Sequence, residues 1–286
     1  MPLWGPWQTK PPAGASINLN HPWAQGLQFF YALNENTGFT CFDANQQGPI
    51  LVPTNWGSGV SPWGSGALSG LNAGGISNAG AFGNLIASQQ FGFPLTLITA
   101  FNLYANDINQ YSQIAALMPN NGNSAPYTVV SIEGSSSSGI SGRYGSGTSY
   151  VANLGNLATT TNKDYVAALS VSSTAWQVFV NGVQTGTGTA TIPNATYGTS
   201  PYFGIGNGPP SQSRYSWTVI YWAGLWNTYI DAITLGAMTE GVSSIFQIFE
   251  PPSFDWLLQG VTSVAPTTMP PYLVFPSMYF PSMIEE

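Results

Sequence analysis

The chain has 286 residues, of which 43% are hydrophobic and only 5% are charged, and its formal net charge at pH 7 is −7. This length is enough for one large domain with a sizeable core, whereas the charged fraction lies far below the ~25% of an average globular protein. The basic residues are Lys10, Arg143, Lys163 and Arg214. So few cations cannot form a stripe that follows phosphates, and nucleic-acid binding is therefore not expected.

The termini and the hydropathy pattern predict no membrane insertion. The N-terminus lacks the basic segment and continuous apolar run of a signal peptide, and no run of about 18 apolar residues predicts a transmembrane helix. Low charge also weakens the repulsion that keeps proteins apart. Two interpretations stay open: a secreted domain with a neutral surface, and a subunit whose surface is largely covered in an assembly.

Residues 1–25 are predicted to form an extended arm, because five prolines interrupt any regular strand pairing. Trp4, Trp7 and Trp23 are large apolar side chains on this backbone, and we expect them to dock on the domain or on a neighbouring subunit. His21 is the only histidine in the chain. One imidazole cannot form a His-rich metal site or a convincing catalytic relay, so a structural role is expected.

Residues 26–252 are predicted to form an all-β, two-sheet jelly-roll sandwich. The predicted strands cover residues 26–33, 39–42, 94–103, 112–118, 127–132, 165–171, 176–180, 183–189, 201–206 and 217–226. Their short and fairly regular spacing is typical of a sandwich or jelly roll. The run 217–226 is apolar at nearly every position, which predicts a central strand with both faces covered.

The clearest local signal is a β-hairpin at residues 176–189. Trp176, Val178 and Val180 recur at every second position, which is the period of a half-buried strand. Asn181 and Gly182 then tolerate positive φ, as a two-residue type I′ turn requires. A return strand is predicted from residue 183 to residue 189.

Two segments carry less specific patterns. Residues 134–147 are nearly all Gly and Ser, which is typical of a flexible loop and equally compatible with a hairpin that contains glycine bulges. One short helix is predicted near residues 239–248, with Thr239 or Ser243 as its cap. Its inward-facing residues are predicted to be Val242, Ile245 and Phe246.

Residues 253–286 are predicted to form a C-terminal strap, since aromatic side chains alternate with prolines. Such a segment is too aromatic for a free disordered tail. It is expected to lie on its own domain or on a partner subunit. The predicted partner-anchoring residues at both ends are Trp4, Trp7, Trp256, Tyr272, Phe275, Tyr279 and Phe280.

No pattern of catalytic residues emerges, and we expect no enzymatic activity. Glycoside hydrolysis needs two opposed carboxylates, but Glu133, Asp164 and Asp231 each stand alone in the sequence. A single histidine permits no interpretable Ser-His-Asp order, and no phosphate-binding loop or His-Glu-x-x-His motif occurs. Cys41, the only cysteine, lies in a strand-like run and is expected to be a core thiol.

Four motifs together resemble the laminin-G-like, concanavalin A-type jelly roll found in tailed-phage virion proteins. Residues 21–27, His-Pro-Trp-Ala-Gln-Gly-Leu, with Asn-Glu-Asn-Thr-Gly at 34–38, resemble the opening of that family. The second motif is the hairpin at 176–183, and the third is Phe-Gly-Ile-Gly at 203–206. The last is the ending at 246–252, Phe-Gln-Ile-Phe-Glu-Pro-Pro.

The resemblance implies a non-enzymatic virion structural protein, displayed on the particle surface as a capsid decoration or head-fibre component and anchored through its terminal arms. The implied partners are capsid or tail subunits and further copies of the chain. The alternative is a glycan-binding adhesin, either a tail-associated receptor-binding protein that contacts host-surface glycans or a secreted lectin-like module. Many members of the family bind calcium, and Asp43 stands where an acidic residue is common. One carboxylate falls short of the six to eight oxygens of a Ca²⁺ site, so no cofactor is expected.

Overall fold

The computed structural model describes residues 10–12, 14–35, 40–54, 63–64, 67–69, 80–84, 92–103, 112–119, 128–135, 139–146, 149–190, 201–206 and 218–250. All of them belong to one compact unit. The strap at 253–286 and the arm before residue 10 lie outside the described residues. The same holds for the seven predicted anchors, Trp4, Trp7, Trp256, Tyr272, Phe275, Tyr279 and Phe280.

The predicted all-β sandwich of two antiparallel sheets is confirmed. The eight-stranded sheet contains β1 (Leu27–Tyr31), β3 (Trp63–Gly64), β4 (Ala67–Ser69), β6 (Leu95–Leu103), β11 (Lys163–Val171), β12 (Ala175–Val180), β13 (Val183–Thr189) and β15 (Thr218–Trp226). The seven-stranded sheet contains β2 (Val52–Thr54), β5 (Gly80–Asn84), β7 (Ser112–Met118), β8 (Val130–Ser135), β9 (Gly139–Ser146), β10 (Ser149–Leu157) and β14 (Tyr202–Ile205).

The main core lies between the two sheets. Inward side chains alternate with outward ones along each strand, as the pleat requires. Phe29 of the eight-stranded sheet packs edge-on against Phe203 of the seven-stranded sheet, with ring centroids 4.6 Å apart. Leu97 and Leu169 join Ile132 in the same buried cluster. The strand order is β13-β12-β11-β6-β15-β4-β3 in one sheet and β10-β9-β8-β7-β14-β5-β2 in the other, and β1 pairs with β15.

Strand β15 is central and covered on both faces, as predicted. It pairs with β6 along one edge and with β1 and β4 along the other. Leu225 points into the main core, whereas Trp222 points to the opposite face, where a second apolar cluster buries it completely. An apolar residue at nearly every position is therefore explained by two cores rather than one.

The predicted hairpin is confirmed in its strands and its turn. Strands β12 and β13 pair from Ala175↔Thr189 to Val180↔Val183. The turn residues Asn181 and Gly182 have φ of 48° and 78°, which is the left-handed pair of a type I′ turn.

The described residues of the run at 134–147 belong to two paired strands rather than to a loop. Strands β8 and β9 pair in continuous register from Val130↔Tyr144 to Ser135↔Gly139. Small residues are needed because the neighbours are close: a Cβ at Gly142 would lie 3.1 Å from side-chain carbons of Leu169 and Val178. A high content of Gly and Ser is typical of flexible loops, but in this hairpin the small residues allow neighbouring side chains to pack closely.

The helical region begins earlier than predicted. Helix α1 spans Ala232–Thr239, and a 3₁₀ turn follows at Ser244–Ile248. Asp231 is the N-cap of α1, since its carboxylate accepts hydrogen bonds from the N–H groups of Ile233 and Thr234. Thr239 therefore ends the helix, and Ser243 makes no side-chain cap. Ile245 and Phe246 are buried and Val242 is half-buried. Within the described residues, no helix is long and apolar enough to cross a membrane.

Residues 14–25 of the predicted arm pack on the same sandwich. Ile17 pairs with Phe249 in an isolated β-bridge, and the N–H of Asn18 donates to the carbonyl of Ile248 at 2.7 Å. His21 has the expected structural role, because its Nδ1 accepts a hydrogen bond from the N–H of Trp23 at the start of a 3₁₀ turn, Pro22–Ala24.

Candidate functional site

An apolar cluster covers part of the outer face of the eight-stranded sheet. Trp222 and Trp226 lie there in an apolar cluster with Phe246. The indole N–H of Trp222 donates to the carbonyl of Val242 at 2.8 Å, and that of Trp226 donates to the carbonyl of Trp23 at 2.8 Å.

A pocket of about 390 Å³ opens beside the 42–46 turn. Its volume falls at the lower end of the roughly 300–1,000 Å³ range of small-molecule sites. We call it the Phe42 pocket; its lining includes Ser16, Asn34, Glu35, Phe42, Gln46 and Phe249. Phe42 is 55% exposed, so this aromatic ring is available to a ligand.

The turn is held in place by the buried carboxylate of Asp43. Its Oδ1 accepts hydrogen bonds from the N–H groups of Phe30 and Asn45, at 2.6 and 3.0 Å. Its Oδ2 accepts from the N–H groups of Gln47 and Gly48, each at 2.7 Å. Asp43, the position that the resemblance offers for calcium, thus binds four backbone donors. No group of three or more His, Cys, Asp or Glu that could hold a metal ion occurs among the described residues.

Two further titratable groups, Lys10 and Cys41, lie close enough to Glu35 for its charge to act on their pKa values. Lys10 Nζ donates to the carbonyl of Leu33 at 2.7 Å, and burial lowers the pKa of Lys10 to about 7 against the opposing attraction of Glu35. Burial raises the pKa of the Cys41 thiol well above its usual range. Cys41 is therefore a buried and unreactive thiol, as its sequence context predicted.

The pocket is lined by two carboxylates, those of Glu35 and Asp43. Burial raises the pKa of Glu35, whose Oε1 accepts a hydrogen bond from the N–H of Phe42 at 2.7 Å. Burial also raises the pKa of Asp43, against its four backbone hydrogen bonds. Both oxygens of Asp43 are used to hold the turn, so the pair is not arranged as the nucleophile and the acid of a glycoside hydrolase.

Two polar side chains of the pocket remain available to a ligand. Within the described part of the chain, the Ser16 hydroxyl and the Gln46 side-chain amide make no hydrogen bond. Both residues are exposed to solvent. A hydroxyl and an amide each donate and accept, and together with the Phe42 ring they offer a polar edge beside an apolar face.

A second polar cluster lies on the outer face of the seven-stranded sheet. Arg143 and Glu133 form an ion pair of 2.7 Å between side chains that are 1% and 4% exposed, and Ser131 Oγ donates to Glu133 Oε1 at 3.1 Å. Tyr150 lies over Arg143, with the guanidinium carbon 4.4 Å from the ring centroid. Tyr150 is 45% exposed, so its aromatic ring is open to solvent.

The other acids that the sequence left isolated have structural partners. Asp164 Oδ1 accepts hydrogen bonds from Asn102 Nδ2 at 2.7 Å and from the Tyr221 hydroxyl at 2.8 Å. These three residues lie on the adjacent strands β11, β6 and β15. A search for motifs along the sequence does not detect residues that become neighbours through strand pairing. The Phe42 pocket was not predicted for the same reason, because its lining residues are distant in sequence.

Comparison with known proteins supports the fold. No protein-family model matches the chain, and no curated protein matches it. Among solved structures, the Trypanosoma rangeli sialidase matches with a TM-score of 0.54 and 15% identity, over 74% of this chain and 33% of that one. The same sialidase in complex with sialic acid matches with a TM-score of 0.53 and 14% identity, over 74% of this chain and 32% of that one.

Two single domains of other proteins match over similar lengths of this chain. Domain 4 of AbnA, a GH43 extracellular arabinanase from Geobacillus stearothermophilus solved with arabinotriose, gives a TM-score of 0.54 and 13% identity, over 74% of this chain and 98% of that one. The binding domain of Paraclostridial Mosquitocidal Protein 1 gives a TM-score of 0.50 and 11% identity, over 74% of this chain and 52% of that one. The chain spans about a third of the length of the sialidases. At these identities the likeness shows a shared β-sandwich fold.

Proposed function

We propose that this chain is a non-catalytic glycan-binding module and that the Phe42 pocket is its saccharide site. The observation that carries the proposal is the exposed Phe42 ring beside the uncommitted hydroxyl of Ser16 and amide of Gln46. A sugar ring has an apolar face of C–H groups and an edge of hydroxyls, so it matches an aromatic surface next to groups that donate and accept.

The structural neighbours support a binding role. A domain of an arabinanase solved with arabinotriose and the binding domain of a mosquitocidal protein share the fold. The carboxylates of Glu35 and Asp43 in the pocket accept hydrogen bonds from backbone N–H groups. Binding without hydrolysis is therefore the role that this geometry favours.

A glycan array probed with the full chain tests the proposal, followed by calorimetry with the saccharide that binds best. We predict that Phe42→Ala weakens binding about tenfold or more, because it removes the aromatic contact surface. The matched control is Tyr150→Ala, which removes an exposed aromatic from the seven-stranded sheet and should leave the affinity within about twofold.

Three outcomes contradict the proposal. If the array shows no binder, the chain is not a glycan-binding module. If Tyr150→Ala abolishes binding while Phe42→Ala does not, the site lies on the seven-stranded sheet. If the saccharide is cleaved on prolonged incubation, the module is catalytic.

The role as a phage virion decoration or head-fibre component stays a prediction. It depends on the low charge and on the terminal segments 1–25 and 253–286, and the predicted anchors in those segments lie outside the described residues. Deleting residues 253–286 and measuring incorporation into particles tests it, since normal incorporation contradicts an anchoring strap. A glycan-binding module on a particle surface is compatible with both roles.

A further inference from the structure

The ionisable side chains that line the Phe42 pocket, within the described part of the chain, are acidic. They are the carboxylates of Glu35 and Asp43. Of the described residues, no lysine or arginine lines the pocket. Lys10 is near enough to attract Glu35, but its ammonium group donates to the carbonyl of Leu33, and Arg143 pairs with Glu133 on the seven-stranded sheet.

The backbone donors next to the pocket are already occupied by an anion. Successive backbone N–H groups in a turn form a concave site that attracts negative charge. In this turn the carboxylate of Asp43 accepts the N–H groups of Asn45, Gln47 and Gly48. A ligand carboxylate would therefore find the donors taken and a negative charge in their place.

The groups left for a ligand are neutral. The Ser16 hydroxyl and the Gln46 amide carry no charge, and each satisfies a sugar hydroxyl as donor or acceptor. Glu35 lines the same surface, and its ionised carboxylate would repel a second carboxylate there. Lining groups of this kind recognise a ligand with hydroxyls and without charge.

From these observations we infer that the Phe42 pocket selects neutral saccharides and rejects sugars that carry a carboxylate, such as uronic or sialic acids. This inference builds on the proposed function, because it assigns the ligand class of the same pocket. It also distinguishes this chain from the structural neighbour that was solved with sialic acid, although the two share a fold.

The test uses pairs of oligosaccharides that differ only in one sugar, a terminal hexose in one and the corresponding hexuronic acid in the other. Calorimetry with the full chain at pH 7 and low salt should show the uronate binding at least tenfold more weakly. Because the discrimination is electrostatic, raising the salt concentration should narrow that ratio in the unmodified protein. Glu35→Gln should also reduce the ratio of the hexose affinity to the uronate affinity.

The outcomes separate the inference from the proposed function. If the uronate binds as tightly as the hexose or more tightly, and Phe42→Ala abolishes that binding, the inference is overturned but the pocket remains the binding site. A tenfold preference that salt does not change overturns the electrostatic explanation. Binding of either sugar that is unaffected by Phe42→Ala, or no binding at all, overturns the proposed function itself.

Discussion

Asp43 shows how one side chain shapes the candidate site. Its carboxylate joins strand β1, through the N–H of Phe30, to the turn that follows Phe42. Charge-assisted hydrogen bonds of this kind are roughly twice as strong as neutral ones. The position of the Phe42 ring is therefore coupled to a buried ionised group.

We predict that Asp43→Asn lowers the free energy of unfolding by about 2–4 kcal/mol, because an amide nitrogen would face two N–H donors and leave them unsatisfied. Urea unfolding of the variant and the unmodified chain measures the difference. A chelator should leave the melting temperature of the unmodified chain unchanged. If the chelator instead lowers it, Asp43 is part of a metal site.

Lys10 predicts a specific pH dependence of stability. Its pKa is lowered from 10.5 to about 7 in the folded chain. Between these two values the unfolded chain binds a proton that the folded chain does not, so the free energy of unfolding rises with pH through this window. Below pH 7 the cost of the buried charge applies in full.

The comparison with Lys10→Met isolates the effect of Lys10 on the pH dependence of stability. Burial also raises the pKa values of Cys41 and Tyr31, but both residues are present in the two proteins, so their contributions to the pH dependence cancel. In the unmodified chain we expect Lys10 to raise the free energy of unfolding by roughly 2–4 kcal/mol between pH 7 and pH 10, and we expect this rise to be absent from the variant. Urea unfolding across that range measures it. Parallel curves for the two proteins would show that Lys10 titrates normally in the folded chain.

At the scale of elements, the β12–β13 turn is a sterically constrained connection. Gly182 has a φ of 78°, and a Cβ there would lie 3.3 Å from the Cα of Glu240. We predict that Gly182→Ala lowers the free energy of unfolding by about 1 kcal/mol or more. Gly92→Ala is the matched control, since a Cβ at Gly92 meets nothing within 4 Å, and a change within about 0.5 kcal/mol is expected. Equal effects of the two substitutions would contradict the strained-turn explanation.

The β8–β9 hairpin depends on the ion pair between Glu133 and Arg143. Removing one partner leaves a buried charge uncompensated, so Arg143→Met should lower the free energy of unfolding by about 3–5 kcal/mol. Replacing both residues by methionine should cost less than Arg143→Met alone, because no charge then remains buried. Additive losses in the double-mutant cycle would show that the two side chains act independently.

The same elements show what sequence patterns can and cannot predict. The β12–β13 hairpin and the central strand β15 were predictable, because alternation and turn chemistry are local. The run at 134–147 was ambiguous, since its small residues are required by side chains of Leu169 and Val178 that are distant in sequence. Helix α1 was misplaced because the N-cap signal of Asp231 lies outside the apolar pattern that was used to locate the helix.

The candidate site was harder to predict than the fold. Ser16, Phe42, Gln46 and Phe249 line one pocket although they span most of the chain, and their proximity follows from strand pairing and from the bridge between Ile17 and Phe249. A sequence pattern indicates which residues face a core, but it does not indicate which loops meet at an edge. The sequence did not indicate that Phe42 would be exposed, because nothing in its pattern distinguishes it from the other phenylalanines of a chain that has 15.

At the scale of the whole molecule, the arrangement of layers limits where a ligand can bind. The helix and the 3₁₀ turn cover part of the outer face of the eight-stranded sheet, and the pocket lies at the edge where the N-terminal segment meets β1. A net charge of −7 with four basic residues offers little attraction to anionic partners. Recognition through an aromatic ring and neutral polar groups is consistent with that charge balance.

The central claim is that the Phe42 pocket binds a saccharide, and chemical-shift mapping of the isotope-labelled chain during titration with its best glycan tests it most directly. The account predicts that the largest shifts occur at the backbone amides of Ser16, Phe42 and Gln46. Shifts concentrated at Ser141 and Tyr150 on the seven-stranded sheet, with the pocket amides unmoved, would contradict it.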